Sequence, residues 1–130
     1  MATGLAAATA NAILDALCRS VAWSEPAAFY VKLHTADPGA SGATAAAGNT
    51  TRQAVTFSAA SAGAITNSAA VTWTSVSTTE TYSHVSFWDA STAGNFIGSD
   101  ALNASRAVTA GDTFEIPIGD LDLSLTPVAA

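Results

Sequence analysis

The chain is predicted to be mainly β: a single antiparallel β-sandwich of about eight short strands, preceded by one N-terminal α-helix. Three observations predict this. From residue 29 onward, apolar residues recur with a period of two in short runs. Gly, Pro, Asn and Asp punctuate those runs at frequent intervals. Before residue 22 the apolar period is three to four instead. The length, 130 residues, suits one domain over 1–130, with the helix in 1–22 and the sandwich in 27–126.

The helix is expected over residues 3–21, with Thr3 as N-cap. Ile13, Leu14, Leu17, Cys18 and Val21 share one stripe; Asn11, Asp15 and Arg19 share the opposite one. Asp15 and Arg19 are spaced to pair on the wet side. Pro26 stops any continuation. Phe29, Val31 and Leu33 then alternate with Tyr30, Lys32 and His34 as a half-buried strand, which Asp37-Pro38-Gly39 ends in a type II turn. Residues 40–51 are Gly, Ala, Ser, Thr and Asn, and are expected to form a long exposed loop.

Further strands are expected over 53–57 (Val55 and Phe57 inward) and 69–74 (Val71 and Trp73 inward). Over 82–89, Val85 and Phe87 take one face and Tyr82, His84 and Trp88 the other, so both faces are candidates for cover. Strands over 95–102 and 105–109 follow, then 113–118 with Phe114, Ile116 and Ile118 on one face, and 120–125 with Leu121, Leu123 and Leu125. Pro117 lacks an N–H and predicts an edge or a bulge.

Charged residues are only 11% of the chain while hydrophobic residues are 49%, which suits a surface partly covered by neighbours. The net charge is −6, and the four basic residues, Arg19, Lys32, Arg52 and Arg106, are dispersed. Nucleic-acid binding needs clustered cations, and an acidic membrane surface needs the same, so neither partner is expected. The lone Cys18 makes no internal disulfide and is expected to be a small buried hydrophobe. No secretory signal or membrane span is legible, which predicts synthesis and first folding in a cytoplasm.

No constellation points to catalysis, and no catalytic residue, metal or cofactor is expected. His34 with Asp37, and His84 with Asp89, match no metal-ligand spacing and alternate as strand residues do. No Ser lies in a nucleophile elbow, and Gly39 and Gly42 lie in a loop rather than in a phosphate cradle. Asp112 is a turn residue, and Asp120 and Asp122 are a solvated strand face before they are a calcium site. Recognition falls to apolar and aromatic residues. Leu5, Ile13 and Leu17 on the helix, with Trp23 and Trp88, are the candidate partner interface; Trp73 is assigned to the core.

Several segments together resemble a known family. They are Asn11-Ala12-Ile13-Leu14-Asp15, the run from Phe29 through Leu33-His34-Thr35-Ala36-Asp37-Pro38-Gly39, and Arg52-Gln53-Ala54-Val55-Thr56-Phe57. Asn67-Ser68-Ala69-Ala70-Val71, Phe87-Trp88-Asp89-Ala90 and Ala110-Gly111-Asp112 follow in order. The chain resembles small structural proteins of tailed-bacteriophage virions, described as tail-fibre or minor structural proteins. The resemblance implies a structural role and carries over no catalytic residue. Two locations follow from it. The first expectation is a capsid decoration or cement protein that binds the major capsid protein outside the assembled head, as a homo-oligomer, expected to be a trimer. The alternative is a tail-fibre or tail-tip-associated protein, bound to tail proteins and involved in host adsorption.

Overall fold

The computed structural model describes residues 3–125. In chain order its elements are β1 (Gly4–Leu5), α1 (Ala7–Arg19), β2 (Phe29–His34), β3 (Gln53–Val55), β4 (Ala64–Thr66), β5 (Val71–Trp73), β6 (Glu80–Trp88), β7 (Phe96–Val108), β8 (Phe114–Ile116) and β9 (Asp122–Ser124). The expected domain limits at residues 1 and 130, and the sandwich limit at 126, lie outside the described residues.

Five strands form one sheet in the order β1-β7-β6-β2-β3, and two two-stranded pairs, β4-β9 and β5-β8, complete the fold. Every strand pairing is antiparallel. The mainly β class and the single N-terminal helix agree with the sequence reading. The core joins Val31, Leu33, Val55, Val85 and Phe87 of the large sheet to Val71, Trp73, Phe114 and Ile116 of the β5-β8 pair, with Leu121 between the strands β8 and β9. Trp73 is buried as expected, and its indole N–H donates to the Thr51 carbonyl at 2.8 Å. A buried indole needs such a partner, because an unpaired N–H would cost about 1–3 kcal/mol.

The long β6-β7 hairpin is the spine, and two irregularities in it set positions that alternation does not reveal. Between Tyr82 and His84 the register jumps, because β7 carries residues 102–105 as an unpaired excess. The shift turns Tyr82 away from the His84 face and onto the core, edge-to-face on Phe114 at 5.0 Å. This corrects the expectation that Tyr82 shares a face with His84 and Trp88. The same bulge lets β7 run on without a break, where two strands were expected. The second shift leaves Ile97 unpaired opposite Phe87 and Trp88, and its carbonyl accepts the Ala6 N–H at 2.8 Å. The chain is thereby tied to the sheet just before α1. Gly98 is required beside it: a Cβ there would lie 2.8 Å from the Gly4 carbonyl oxygen of the paired strand.

The helix is shorter than expected, and Thr3 does not cap it. Gly4 and Leu5 pair with Ser99 and Gly98 on the sheet edge, so the helix starts only after Ala6, whose side chain gives no cap. At the other end Ser20 adopts the left-handed conformation, and its N–H returns to the Asp15 carbonyl. The 113–118 strand is also trimmed: Phe114 and Ile116 are buried, but Ile118 lies beyond β8 and is exposed. Of the closing leucines, Leu121 is buried, Leu123 half-buried and Leu125 exposed.

Residues 40–51 are not a free loop. The segment from 36 to 51 folds over the outer face of the large sheet and is held by backbone bonds. The Thr35 and Ala47 N–H groups donate to Ala45 and Leu33 carbonyls, and the Glu80 carboxylate accepts from Gly48 and Asn49 N–H. Gly42, with φ +72°, sits so close to Phe96 that a Cβ would come within 2.4 Å of the ring. Beneath this cover His34 is fully buried. The Thr44 carbonyl can only accept, so Nδ1 of His34 carries the proton and donates to it at 2.9 Å. Nε2 therefore accepts from the Ser86 hydroxyl at 2.7 Å, and the Ser86 oxygen in turn accepts the Trp88 indole N–H at 2.7 Å. Burial lowers the His34 pKa, against the Thr44 and Ala45 carbonyls, which raise it; Lys32 and His84 add to the lowering. The neutral imidazole is the form that this network satisfies.

Asn67 is the buried polar hub of the smaller layer. Its side-chain oxygen accepts N–H groups of Gly119 (2.9 Å) and Leu121 (3.0 Å), and its amide donates to the carbonyls of Ala69 (2.8 Å) and Pro117 (3.0 Å). The β8-β9 turn is thus welded to the β4-β5 connection.

Both polar networks can be tested by substitution. Asn67→Ala strands up to four buried polar groups, and urea unfolding should show a loss of roughly 2–4 kcal/mol. Ser68→Ala, next to it and exposed, should change stability by less than ~0.5 kcal/mol. For His34, the native pKa lies below the unfolded value of about 6.5, so the unfolded chain binds the proton first and stability falls as pH drops below ~6.5. Thermal melts of His34→Gln between pH ~7.5 and ~5 should show a shallower slope than the wild type; an unchanged slope would remove His34 from the account.

Candidate partner interface

The apolar stripe of α1 faces outward. Thr9 is the only buried residue in the helix, and Leu14 and Leu17 are 57% and 77% exposed. Val21, just past the helix, is exposed as well. Cys18 is exposed, which corrects its assignment as a buried hydrophobe. The reason lies in the body: its core closes without the helix, because the β5-β8 and β4-β9 pairs already cover the inner face of the sheet. On the polar side Arg19 and Asp15 pair at 3.1 Å. A helix of 13 residues that buries so little is marginal by itself in water.

Beside the helix lies an apolar groove of about 250 Å³, with Leu5 and Ile13 on one wall and Ala64, Ile65, Leu123 and Leu125 on the other. No ionisable side chain lines it. Leu5 and Ile13, two of the residues singled out from sequence, therefore meet here, with Leu17 one helical turn beyond Ile13. On the far wall, Leu123 and Leu125 were read as strand positions, not as surface. The β4-β9 pairing, Ile65 opposite Leu123, brings them together.

Trp23 and Trp88 are elsewhere. Trp23 follows the helix and lines a second cleft of about 430 Å³, with Ala6 to Thr9, Ser41, Asp89 and Phe96. Trp88 is half-buried and fully engaged inside the chain. It packs on Phe96 at 5.6 Å, and the Arg52 guanidinium lies 4.3 Å from its ring centre. Arg52 also donates to the Ala90 and Ala93 carbonyls at 2.8 Å, which fixes the β6-β7 turn. At the same turn Asn95 donates its backbone and side-chain N–H groups to Asp89, and those bonds hold the Asp89 pKa down. His34 and His84 are cross-strand neighbours, but among the described residues no three His, Cys, Asp or Glu side chains gather as a metal site would need. No helix among the described residues is long and apolar enough to cross a membrane.

Taken together, fold and surface define a small β-rich building block whose marked surface feature is an apolar helix and groove. A family model, described as Podophage GP4 fiber I protein gp80, matches residues 4–124. The chain belongs to this family, and it is a structural protein of the phage virion. No curated protein matches it.

The two tryptophans should respond differently to truncation. Trp88→Ala removes a half-buried ring held between Phe96 and Arg52, together with its partly buried hydrogen bond to Ser86, and should cost roughly 2–4 kcal/mol in denaturant unfolding. Trp23→Ala, with no ring partner, should cost about 1 kcal/mol or less.

Proposed function

We propose that the protein is a structural component of the phage tail fibre or of its attachment to the tail, docked on its partner proteins through α1 and the groove beside it. The observation that carries this reading is the helix itself. A folded β-body presents a helix whose leucines are uncovered, and burying one leucine contributes about 1.5–3 kcal/mol. The family's description as a fibre protein favours the tail over the head. Decoration of the head, the first expectation from sequence, would use the same apolar chemistry on the major capsid protein; it stands second because the family name does not speak for it. The mechanism is linkage: a partner that binds only the folded block stabilises it and is stabilised in turn. The reading includes no catalytic step.

Purified virions labelled with a gold-tagged antibody against this chain should carry gold on the tail appendages, in few copies per particle. Gold scattered over the head would overturn the fibre reading in favour of decoration.

A further inference from the structure

The cleft that holds Trp23 shares no residue with the apolar groove, and it carries what the groove lacks: polar groups with nothing to bind. Thr9 lines it and is 8% exposed, yet its hydroxyl has no hydrogen-bond partner among the described residues. A buried hydroxyl ordinarily has a partner, so this one is left for a group that enters the cleft. Ala7 and Ala8 form the wall beside it, at the start of α1. No side chain caps the helix and no acidic residue stands in its first turn, so its first N–H groups are free donors. Another wall supplies the Asp89 carboxylate. Asn95 donates its backbone N–H to one oxygen at 2.7 Å and its side-chain amide to the other at 2.9 Å. Those bonds fix the carboxylate plane, keep it ionised and leave a lone pair on each oxygen. Trp23 itself is 37% exposed and has no ring partner among the described residues.

We propose that this cleft binds one unit of a neutral carbohydrate, its flat face on the Trp23 indole and its hydroxyls shared between Asp89 and the donors at the start of α1. A pyranose has an apolar C–H face and a rim of hydroxyls that both donate and accept. The electron-rich face of the indole attracts the weakly positive C–H groups. The carboxylate accepts from two hydroxyls, and the Thr9 hydroxyl and the helix N–H groups donate to the remaining sugar oxygens. The donors alone would also suit an anion. Asp89 stands in the same cleft, however, and the chain carries a net charge of −6, so a phosphate or an acidic sugar is repelled. A purely apolar ligand would leave Thr9 and Asp89 unpaired. The volume, about 430 Å³, is within the ~300–1,000 Å³ of small-ligand sites. The walls are already fixed: Arg52 holds the Ala90 and Ala93 carbonyls, Gly42 closes on the Phe96 ring, and the Ala6 N–H ties the start of α1 to Ile97. A preformed site loses little to ordering on binding. Leu17 lies about two helical turns from Thr9, so the sugar site is separate from the docking face and goes beyond it.

The test is saturation-transfer NMR on the purified full chain. The probes are the methyl glycosides of glucose, galactose and mannose, with methyl glucuronide as the acidic counterpart. At least one neutral glycoside should bind with a Kd on the order of 1 mM, and the glucuronide should not. Trp23→Ala should weaken binding about tenfold, and Thr9→Val about threefold, both with unchanged circular dichroism. Asp89→Asn should weaken the neutral glycoside and admit the glucuronide, a reversal of preference that a merely structural defect would not produce. Leu17→Glu, on the docking face, should bind as the wild type does. No saturation of any neutral glycoside at about 10 mM, or binding that Trp23→Ala leaves unchanged, overturns the proposal. So does a glucuronide bound as tightly as the glucoside. A virion protein that the wild type captures and Trp23→Ala releases, with no glycoside bound, replaces the sugar by a protein partner. Gold on the tail with no sugar bound keeps the fibre reading and removes the site; sugar bound by a chain whose gold marks the head does the reverse.

Discussion

The fold depends on how one buried amide is satisfied. Asn67 carries two donors and an acceptor oxygen, and all are used within a site that water does not reach. Its partners come from two places more than 40 residues apart in the chain: the start of β5 beside it, and the turn between β8 and β9. If that amide is satisfied, β8 lies where Phe114 meets Tyr82 and Trp73, and β9 lies where Leu123 pairs with Ile65. The smaller layer, the core that it closes and the far wall of the apolar groove all follow from this hub. A buried network of this kind specifies one arrangement because any other leaves polar groups unpaired.

The opposite face of the large sheet is closed by different means. The segment from 36 to 51 has few apolar side chains to offer, so its backbone does the covering, with carbonyls turned to Thr35 and His34 and N–H groups to Glu80. Both faces of the sheet are therefore covered by the chain's own residues. The core among the described residues closes without α1, and that is why its leucines are left exposed.

Most of the strands, the N-terminal helix, the buried Trp73 and the outward Asp15–Arg19 pair were legible from periodicity alone, because each depends on neighbours in sequence; β1, inside the expected helix, and the short β4 were not. What was not legible depends on partners across the fold. Tyr82 changes face at the irregularity of the β6-β7 pairing between it and His84, which alternation does not reveal. Nothing near Asn67 in sequence marks it as a hub, because Pro117, Gly119 and Leu121, which its amide binds, lie some fifty residues away. The composition of residues 40–51 signals solvent because small polar side chains are common in exposed loops, yet here the backbone is the functional part. Cys18 was assigned to a core because it lies on the apolar side of an amphipathic helix; the body closes without that helix, and Cys18 is exposed. Of the interface candidates, Leu5 and Ile13 come together in the groove and Leu17 is exposed one helical turn beyond, whereas Trp88 is spent on Arg52 and Phe96.

In the proposed reading the β-body is self-sufficient and α1 is stabilised by the partner it docks on. Amide hydrogen exchange on the dilute, monomeric chain tests this most directly. Residues of α1 should exchange near the rate of an unfolded peptide while β6 and β2 are protected to the level of global unfolding. Helix amides as well protected as those of β6 in the monomer would contradict it, since α1 would then draw its stability from within the chain.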